Sequence, residues 1–275
     1  FDWTTVCLVP PEAIAQAAIV ARRDGVVAGL RAAALALSEM DTNVAWTPAV
    51  DDGARISSGD VLATVIGPAR SLLSSERILL NLIGRLSGVA TLTRRYVDAV
   101  AGSGARIYDT RKTTPGWRRL EKYAVRLGGG HNHRTGLFDA ILIKDNHLAL
   151  GAAGQGADHL NPAQAVRRAR QLVESIATAK SAEPLIVEVE VDTLEQLAMV
   201  LGEGPDIVLL DNMPLEMLRQ AVALRDRAAS GVDLEASGGV TLESVAEIAA
   251  TGVERISVGA LTHSVTSLDV GLDWR

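Results

Sequence analysis

The stretch Asp109-Thr110-Arg111-Lys112-Thr113-Thr114-Pro115-Gly116, with the basic run that follows it to His147, decides how the rest of the chain is read. Residues 106–134 hold eight Lys and Arg against two acids, a local +6 in a chain whose formal total is −6, so the remainder sums to −12. Charge segregated in this way marks a place where an anion is held. Ala105-Arg106-Ile107-Tyr108 reads as a short strand and Asp109 to Thr114 as its exit loop. Pro115 suits the first turn of a helix running to Arg126, which Gly128-Gly129-Gly130 ends just before His131-Asn132-His133-Arg134. Arg111, Lys112, His133 and Arg134 then converge on one ligand, because paired cations in a loop at a strand end do little for a fold. Arg118, Arg119 and Lys122 read as the solvated face of a helix.

C-terminal to this stretch the rhythm is strand, loop, helix. Strands are expected at Ala105–Tyr108, Ala140–Ile143, Leu185–Val191, Asp206–Leu210, Val232–Ala236 and Arg255–Val258. Helices are expected at 162–178, 193–201, 214–229 and 241–251. Such alternation predicts a parallel sheet, open or closed into a barrel. In a β/α barrel every strand exit opens on one face, where active sites lie. The exits here carry Arg111-Lys112, Lys144, Glu190, Asp211, Ser237-Gly238-Gly239 and Gly259-Ala260. Glycines after the last two strands let backbone N–H groups close on a phosphate, with a helix starting at Thr241 adding its positive end. Glu190 and Asp211 are hard oxygen ligands suited to Mg²⁺ on a substrate phosphate, and no close cluster of carboxylates is evident that would form a dedicated metal cage. Glu190 paired with Lys144 as a structural bridge is the competing reading, and Glu188 shares the strand parity of Glu190.

N-terminal to the stretch, Pro11 to Arg23 has helical spacing, Val26 to Leu30 reads as a strand followed by a helix to Met40, and strands follow at Val44–Val50 and Val61–Ile66. Leu72 to Val100 is helical, with breaks expected near Gly84 and Gly88. The turn Asp52 to Asp60 resembles that of a lysine-bearing carrier domain, but no Lys precedes Lys112, so the carrier chemistry is absent. Aromatic content of 3% gives no stacking platform for bases, and an acidic pI near 5.4 disfavours nucleic acid. No apolar run approaches the length of a membrane span. The single cysteine, Cys7, excludes an internal disulfide framework, fits a cytoplasmic protein and reads as a small buried hydrophobe. The chain begins at Phe1 rather than Met, so a longer gene product is expected.

Asp109 to Gly116, then Glu121-Lys122-Tyr123-Ala124, Gly128 to Arg134 and Ile143-Lys144-Asp145-Asn146-His147 together resemble the quinolinate phosphoribosyltransferase family. The resemblance runs from Asp2-Trp3-Thr4-Thr5 to Val258-Gly259-Ala260-Leu261-Thr262-His263-Ser264, with the motifs in order. It implies an α/β fold: an irregular β/α barrel over 105–262, with at least one strand beyond the six read above. A smaller α+β domain over 1–104 precedes it, rejoined by the tail 263–275; the short helical arm that precedes Asp2-Trp3-Thr4-Thr5 in the family is missing here. The implied reaction transfers phosphoribose from phosphoribosyl pyrophosphate to quinolinate, with decarboxylation to nicotinate mononucleotide in NAD biosynthesis and Mg²⁺ as cofactor. Arg111, His133, Arg134 and Lys144 would grip the substrate carboxylates, and Lys112 would face the pyrophosphate. Glu190 and Asp211 would hold the metal and the ribose, and Ser237, Gly238, Gly239, Gly259 and Ala260 the phosphate. Arg77, which by spacing alone reads as an ion-pair partner of Glu76, would cross into the partner's site. A homodimer with shared active sites follows, with a hexamer as the larger alternative.

Two other enzymes compete with this reading. A nicotinate phosphoribosyltransferase on a related barrel needs fewer cations, and a Schiff-base aldolase would use Lys112 or Lys144 as its amine.

Overall fold

The computed structural model describes residues 2–152, 160–179, 185–228 and 231–275. Phe1 and the expected helix end at 229 lie outside these. The chain divides into two compact units, one of 1–95, 112–130 and 260–275, the other of 96–111 and 131–259.

The first unit begins with α1 (Trp3–Leu8), β1 (Ile14–Ala21), β2 (Gly25–Val26) and α2 (Leu30–Met40). It continues with β3 (Ala45–Pro48), β4 (Arg55–Ile56), β5 (Val61–Pro68) and α3 (Ala69–Ala99), whose last turn counts with the second unit. Its four-stranded sheet includes β12 (Val270–Trp274), in the order β12-β1-β5-β3. The tail therefore rejoins the N-terminal part, as expected, with Ala17 opposite Trp274 and Ala21 opposite Val270.

Residues 11–23 are not a helix. Ala18, Ile19 and Val20 lie between two antiparallel neighbours, and burial on both faces removes the alternation that would have marked a strand. The core packs Ile19, Leu62 and Val65 of the sheet against Leu37, Leu72, Leu79 and Ile83 of the helices.

Helix α3 is continuous through Gly84 and Gly88. A Cβ at Gly88 would stand 2.3 Å from the Thr266 carbonyl oxygen, and one at Gly84 would stand 2.9 Å from that of Leu268. These glycines make room for the returning tail rather than interrupting the helix. Cys7 is exposed on the short α1, not buried.

The second unit carries β6 (Arg106–Tyr108), β7 (Ala140–Ile143), α5 (Asp145–Gly151), α6 (Pro162–Ala179) and β8 (Ile186–Val191). It ends with α7 (Leu194–Leu201), β9 (Ile207–Asp211), α8 (Leu215–Arg227), β10 (Asp233–Ser237), α9 (Val245–Ala249) and β11 (Arg255–Ser257). The intervening α4 (Arg118–Leu127) and α10 (Ala260–His263) count with the first unit. All six strands are parallel, in the order β6-β11-β10-β9-β8-β7. The strand expected beyond these six has a one-residue counterpart. His131 donates to the Ile107 carbonyl at 2.8 Å and accepts from Asp109 N at 3.0 Å, bridging in parallel beside β6.

Two expected helix starts fall elsewhere. Residues 115–117 form a turn before α4, and Thr241 begins a turn before the five-residue α9. Among the described residues no helix is long and apolar enough to cross a membrane.

Candidate active site

Parallel register puts the six strand exits of the second unit at one edge, with Ser237 level with Asp211. The strands alternate in burial chemistry. In β8, Val187, Val189 and Val191 face one way, and Glu188 and Glu190 the other. In β10, Leu234 and Ala236 alternate with Asp233, Glu235 and Ser237. Asp109, just after β6, is four strand spacings from β8, roughly 19 Å in a flat sheet. Yet His133, whose backbone N–H donates to Asp109 Oδ1 at 2.8 Å, touches Glu188 of β8. The sheet is therefore curled tightly enough to bring its distant strands together, as in an irregular barrel.

The first motif residue, Asp109, is fully buried and acts as a clamp, its second oxygen accepting from Asn132 Nδ2 at 2.7 Å. It holds Asn132 and His133 from below. Beyond Arg134, Asp139 closes the loop by accepting from Thr135 N and Oγ1, both at 2.6 Å, and from Gly136 N at 3.1 Å. Burial opposes ionisation of Asp139, but those hydrogen bonds outweigh it and hold the carboxyl at about 2.

The cations expected to converge take different places. The Arg134 guanidinium is pushed below its ordinary value by burial and by the nearby charge of Arg111, so these two cations share one neighbourhood. Lys144 precedes α5 and pairs with Glu190. His133 turns inward. Its Nε2 lies 3.0 Å from Glu188 Oε2 and 3.4 Å from Glu235 Oε1, while its Nδ1 accepts from Arg134 N at 2.8 Å. The expectation that no close carboxylate cluster exists is overturned here, because His133, Glu188 and Glu235 bring ligand-type atoms within 4.8 Å of one another.

Arg255 Nε donates to Glu235 Oε2 at 2.6 Å, and its guanidinium lies 3.6 Å over the Tyr108 ring. Burial lowers the His133 pKa, but Glu188 and Glu235 outweigh it and raise the ring to about 9. Burial pushes Glu188 up, whereas His133 and Arg255 overcome burial at Glu235 and hold it down. Nδ1 can accept the Arg134 N–H only in the neutral ring, so that bond and the raised pKa belong to different protonation states of His133.

Neither Glu235 nor Arg255 was expected in the site. Their signal was a charged residue within or opening a strand beside buried apolar neighbours, Leu234 and Ala236 about Glu235, Ile256 after Arg255.

Asp211 is half-buried at the end of β9 and accepts from Asn212 Nδ2 at 2.6 Å. Asn212 has φ of 52°, and its N–H donates to the Ser237 carbonyl at 2.9 Å. Gly238 has φ of 96°, and a Cβ there would stand 2.2 Å from Asn212 Oδ1, so only glycine fits. Gly239 is exposed with φ of 59°, and Gly259 follows β11 directly.

Arg77, Lys112 and Ala260 belong to the first unit. Arg77 is exposed and paired with Glu76. The carbonyl of Lys112 accepts from Thr262 Oγ1 at 2.7 Å. Glu121, fully buried on α4, accepts from Arg85 Nη2 at 2.6 Å, Thr114 N at 3.0 Å and Thr114 Oγ1 at 2.8 Å. Arg85 also donates to the Thr262 carbonyl. Tyr123 donates to Asp52 Oδ2 at 2.9 Å, and burial with this bond raises its hydroxyl to about 12. Asp52 Oδ1 in turn accepts from Leu30 N at the start of α2. The Glu121-to-Ala124 motif thus secures the loop after Lys112. Lys122 is buried at 3% exposure, not solvated, because α4 presents that face to the unit's interior.

A parallel α/β sheet whose exits carry guanidinium groups, carboxylates and positive-φ glycines defines an enzyme of small, multiply charged substrates. The chain belongs to the quinolinate phosphoribosyltransferase family: the N-terminal domain model matches residues 2–87 and the C-terminal domain model residues 89–273. It is 49% identical over 276 residues to the nicotinate-nucleotide pyrophosphorylase (carboxylating) of Mycobacterium leprae, covering 99% of this chain and 90% of that protein. The probable counterpart of Bacillus subtilis is 44% identical, with coverage of 94% and 83%. Among solved structures, the nicotinate-nucleotide pyrophosphorylase of Francisella tularensis superposes with a TM-score of 0.87 at 35% identity, covering 98% of this chain and 89% of that one.

Proposed function

We infer that this site carries out the reaction of the family to which the chain belongs. Phosphoribose passes from phosphoribosyl pyrophosphate to the ring nitrogen of quinolinate, pyrophosphate leaves, and loss of CO₂ gives nicotinate mononucleotide. The observation that carries this reading is that Arg111, Arg134 and Lys144 follow β6, the His131 bridge beside it and β7, three cations at strand exits of one parallel sheet. Several cations brought to strand exits in this way suit an acid with two adjacent carboxylates. Lys144 and His133, which the structure pairs with Glu190 and with Glu188, are assigned to the same acid. A mono-acid such as nicotinate would leave part of this charge unmatched, which disfavours the nicotinate transferase.

Glu190 and Asp211 are assigned the ribose hydroxyls, where they stabilise positive charge growing at the sugar carbon as its bond to pyrophosphate lengthens. Lys144 and Glu190 form an ion pair, and Lys144 is assigned the acid and Glu190 the sugar. Lys112, the residue after Arg111, is assigned the departing pyrophosphate. The backbone of Ser237, Gly238, Gly239, Gly259 and Ala260 is assigned the 5′-phosphate.

Glu190 and Asp211 offer the hard oxygens that Mg²⁺ prefers, two carboxylates to be completed by substrate oxygens. The ion, when bound, supplies charge neutralisation for the pyrophosphate. Once alkylated, the pyridine nitrogen is cationic, and the ring accepts the electron pair that CO₂ leaves behind.

Arg77, exposed and paired with Glu76, is assigned to a second subunit's site, which makes a homodimer, alone or within a hexamer, the working assembly. Cytoplasmic location suits the single cysteine.

The test is direct: purified protein with quinolinate, phosphoribosyl pyrophosphate and Mg²⁺ should release CO₂ and pyrophosphate in equal amounts. Release of neither would refute the reading.

A further inference from the structure

We propose that Asn212 is a positioning residue for the sugar half of the reaction: its side-chain amide aims the Asp211 carboxylate, and its main chain ties that carboxylate to the glycine turn after β10. This rests on the phosphoribosyl-transfer reading of the site.

Asn212 is the one non-glycine residue with positive φ among the described residues, at 52°. An L side chain in the left-handed region crowds the following carbonyl, so a turn of this shape favours glycine. Asparagine tolerates the region better than most residues, yet it keeps a side chain where none would be easier to place. That side chain has a task. Its Nδ2 donates to Asp211 Oδ2 at 2.6 Å. The bond is made to the carboxylate itself, so it fixes the rotamer and plane of the group assigned the ribose hydroxyls. Glu190, the other acid of the sugar half, is held by Lys144. Asp211 has no cation beside it among the described residues, and the amide is its one side-chain partner, which leaves Oδ1 open to a hydroxyl.

The carboxylate needs a donor, which turns Nδ2 toward it and Oδ1 away, against Gly238. A Cβ at position 238 would stand 2.2 Å from that Oδ1 and 2.5 Å from Cγ. The amide thus occupies the space that any side chain at 238 would take, and the glycine there is as much a consequence of Asn212 as of a phosphate. The Asn212 N–H donates to the Ser237 carbonyl at 2.9 Å, and Ser237 stands level with Asp211 in the register of β9 and β10. The ribose hydroxyls and the 5′-phosphate are joined covalently in the substrate, so the groups that hold them must keep a matching spacing. Asn212 is where those two groups meet.

The test compares Asn212→Gly and Asn212→Asp with the wild-type enzyme. Asn212→Gly removes the amide but eases the backbone, so it should melt within about 3 °C of wild type. Its kcat/KM for phosphoribosyl pyrophosphate at saturating quinolinate should nonetheless fall about tenfold, the usual scale for a lost hydrogen bond to a charged group. KM for quinolinate should stay within about twofold. Asn212→Asp keeps the shape and the left-handed backbone but has no donor, and it should fall at least as far. It carries the comparison if the glycine variant melts early.

A residue that only shaped the turn would leave both variants near wild type in kcat/KM, and that result overturns the proposal. So does a loss that raises KM for both substrates alike and follows the melting temperature. A wild-type protein inactive on quinolinate would instead overturn the function, independently of the variants.

Discussion

Glu121 of the first unit and Glu188 of the second are equally hidden from water, yet their oxygens are differently served. Glu121 receives Arg85 and both the N–H and hydroxyl of Thr114. Glu188 has His133 on one oxygen and nothing within hydrogen-bond reach on the other among the described residues. A buried carboxylate with every lone-pair direction answered is a fastener, and removing it leaves its cation stranded. A buried carboxylate left half answered is costly to keep, which points to a task other than stability. Within its own unit, Glu121 secures the loop after Lys112, and Glu188 meets His133 just before Arg134.

The sharpest way to break this contrast is to remove each acid. Glu121→Ala should destabilise by about 3–5 kcal/mol, the usual loss when a buried ion pair is halved. Glu188→Gln should change stability by less than about 1 kcal/mol, because the amide avoids an ionised group that burial penalises. Chemical denaturation of both variants would measure this, and equal losses would dissolve the distinction.

Next in size is Arg134→Ala, which removes a cation assigned to the acid. Loss of one member of a hydrogen-bonded charge pair typically costs 2–5 kcal/mol, at least roughly thirtyfold in kcat/KM for quinolinate. The gap between quinolinate and nicotinate should narrow in this variant, as steady-state kinetics on both acids would register. A gap left unchanged would place carboxylate recognition elsewhere.

The smallest expected effect is in pH dependence. The folded value of His133, about 9, lies above the unfolded 6.5. Its contribution is therefore complete below about pH 6.5 and is lost as pH climbs through about 9. Glu188, also raised, acts in the same direction. Glu235, lowered, contributes above its unfolded value and loses that contribution as acid protonates it. The alkaline loss is at most about 3 kcal/mol. Stability measured from pH 6 to 10 should decline, and Glu188→Gln should flatten the decline. A flat wild-type profile would separate the proton from the cluster.

How much of this was readable in advance follows the range of each interaction. The six strands of the second unit were legible because a buried parallel strand is a short apolar run bounded by turns, and its exit residue is adjacent in sequence. Arg111, Lys144, Asp211 and Gly238 were named on that basis. The segment Ile14–Ala21 was misread because its alanines and branched residues suit a helix as well as a central strand. What makes it a strand is pairing with Val270–Trp274, some 250 residues away.

The sequence by itself determined the order of elements, the exits, the segregated charge and the family, since each resides in runs of a few residues or in motifs kept in order. Only the tertiary structure decided which charges meet. Glu188 and Glu190 share a strand face, but curling of the sheet hands one to His133 and the other to Lys144. Glu235 and Arg255 join the site for the same reason, and Lys122 is buried because α4 turns that face inward. Coulomb and hydrogen-bond energies depend on distances of a few ångströms, and a chain sets those distances only once it has closed on itself.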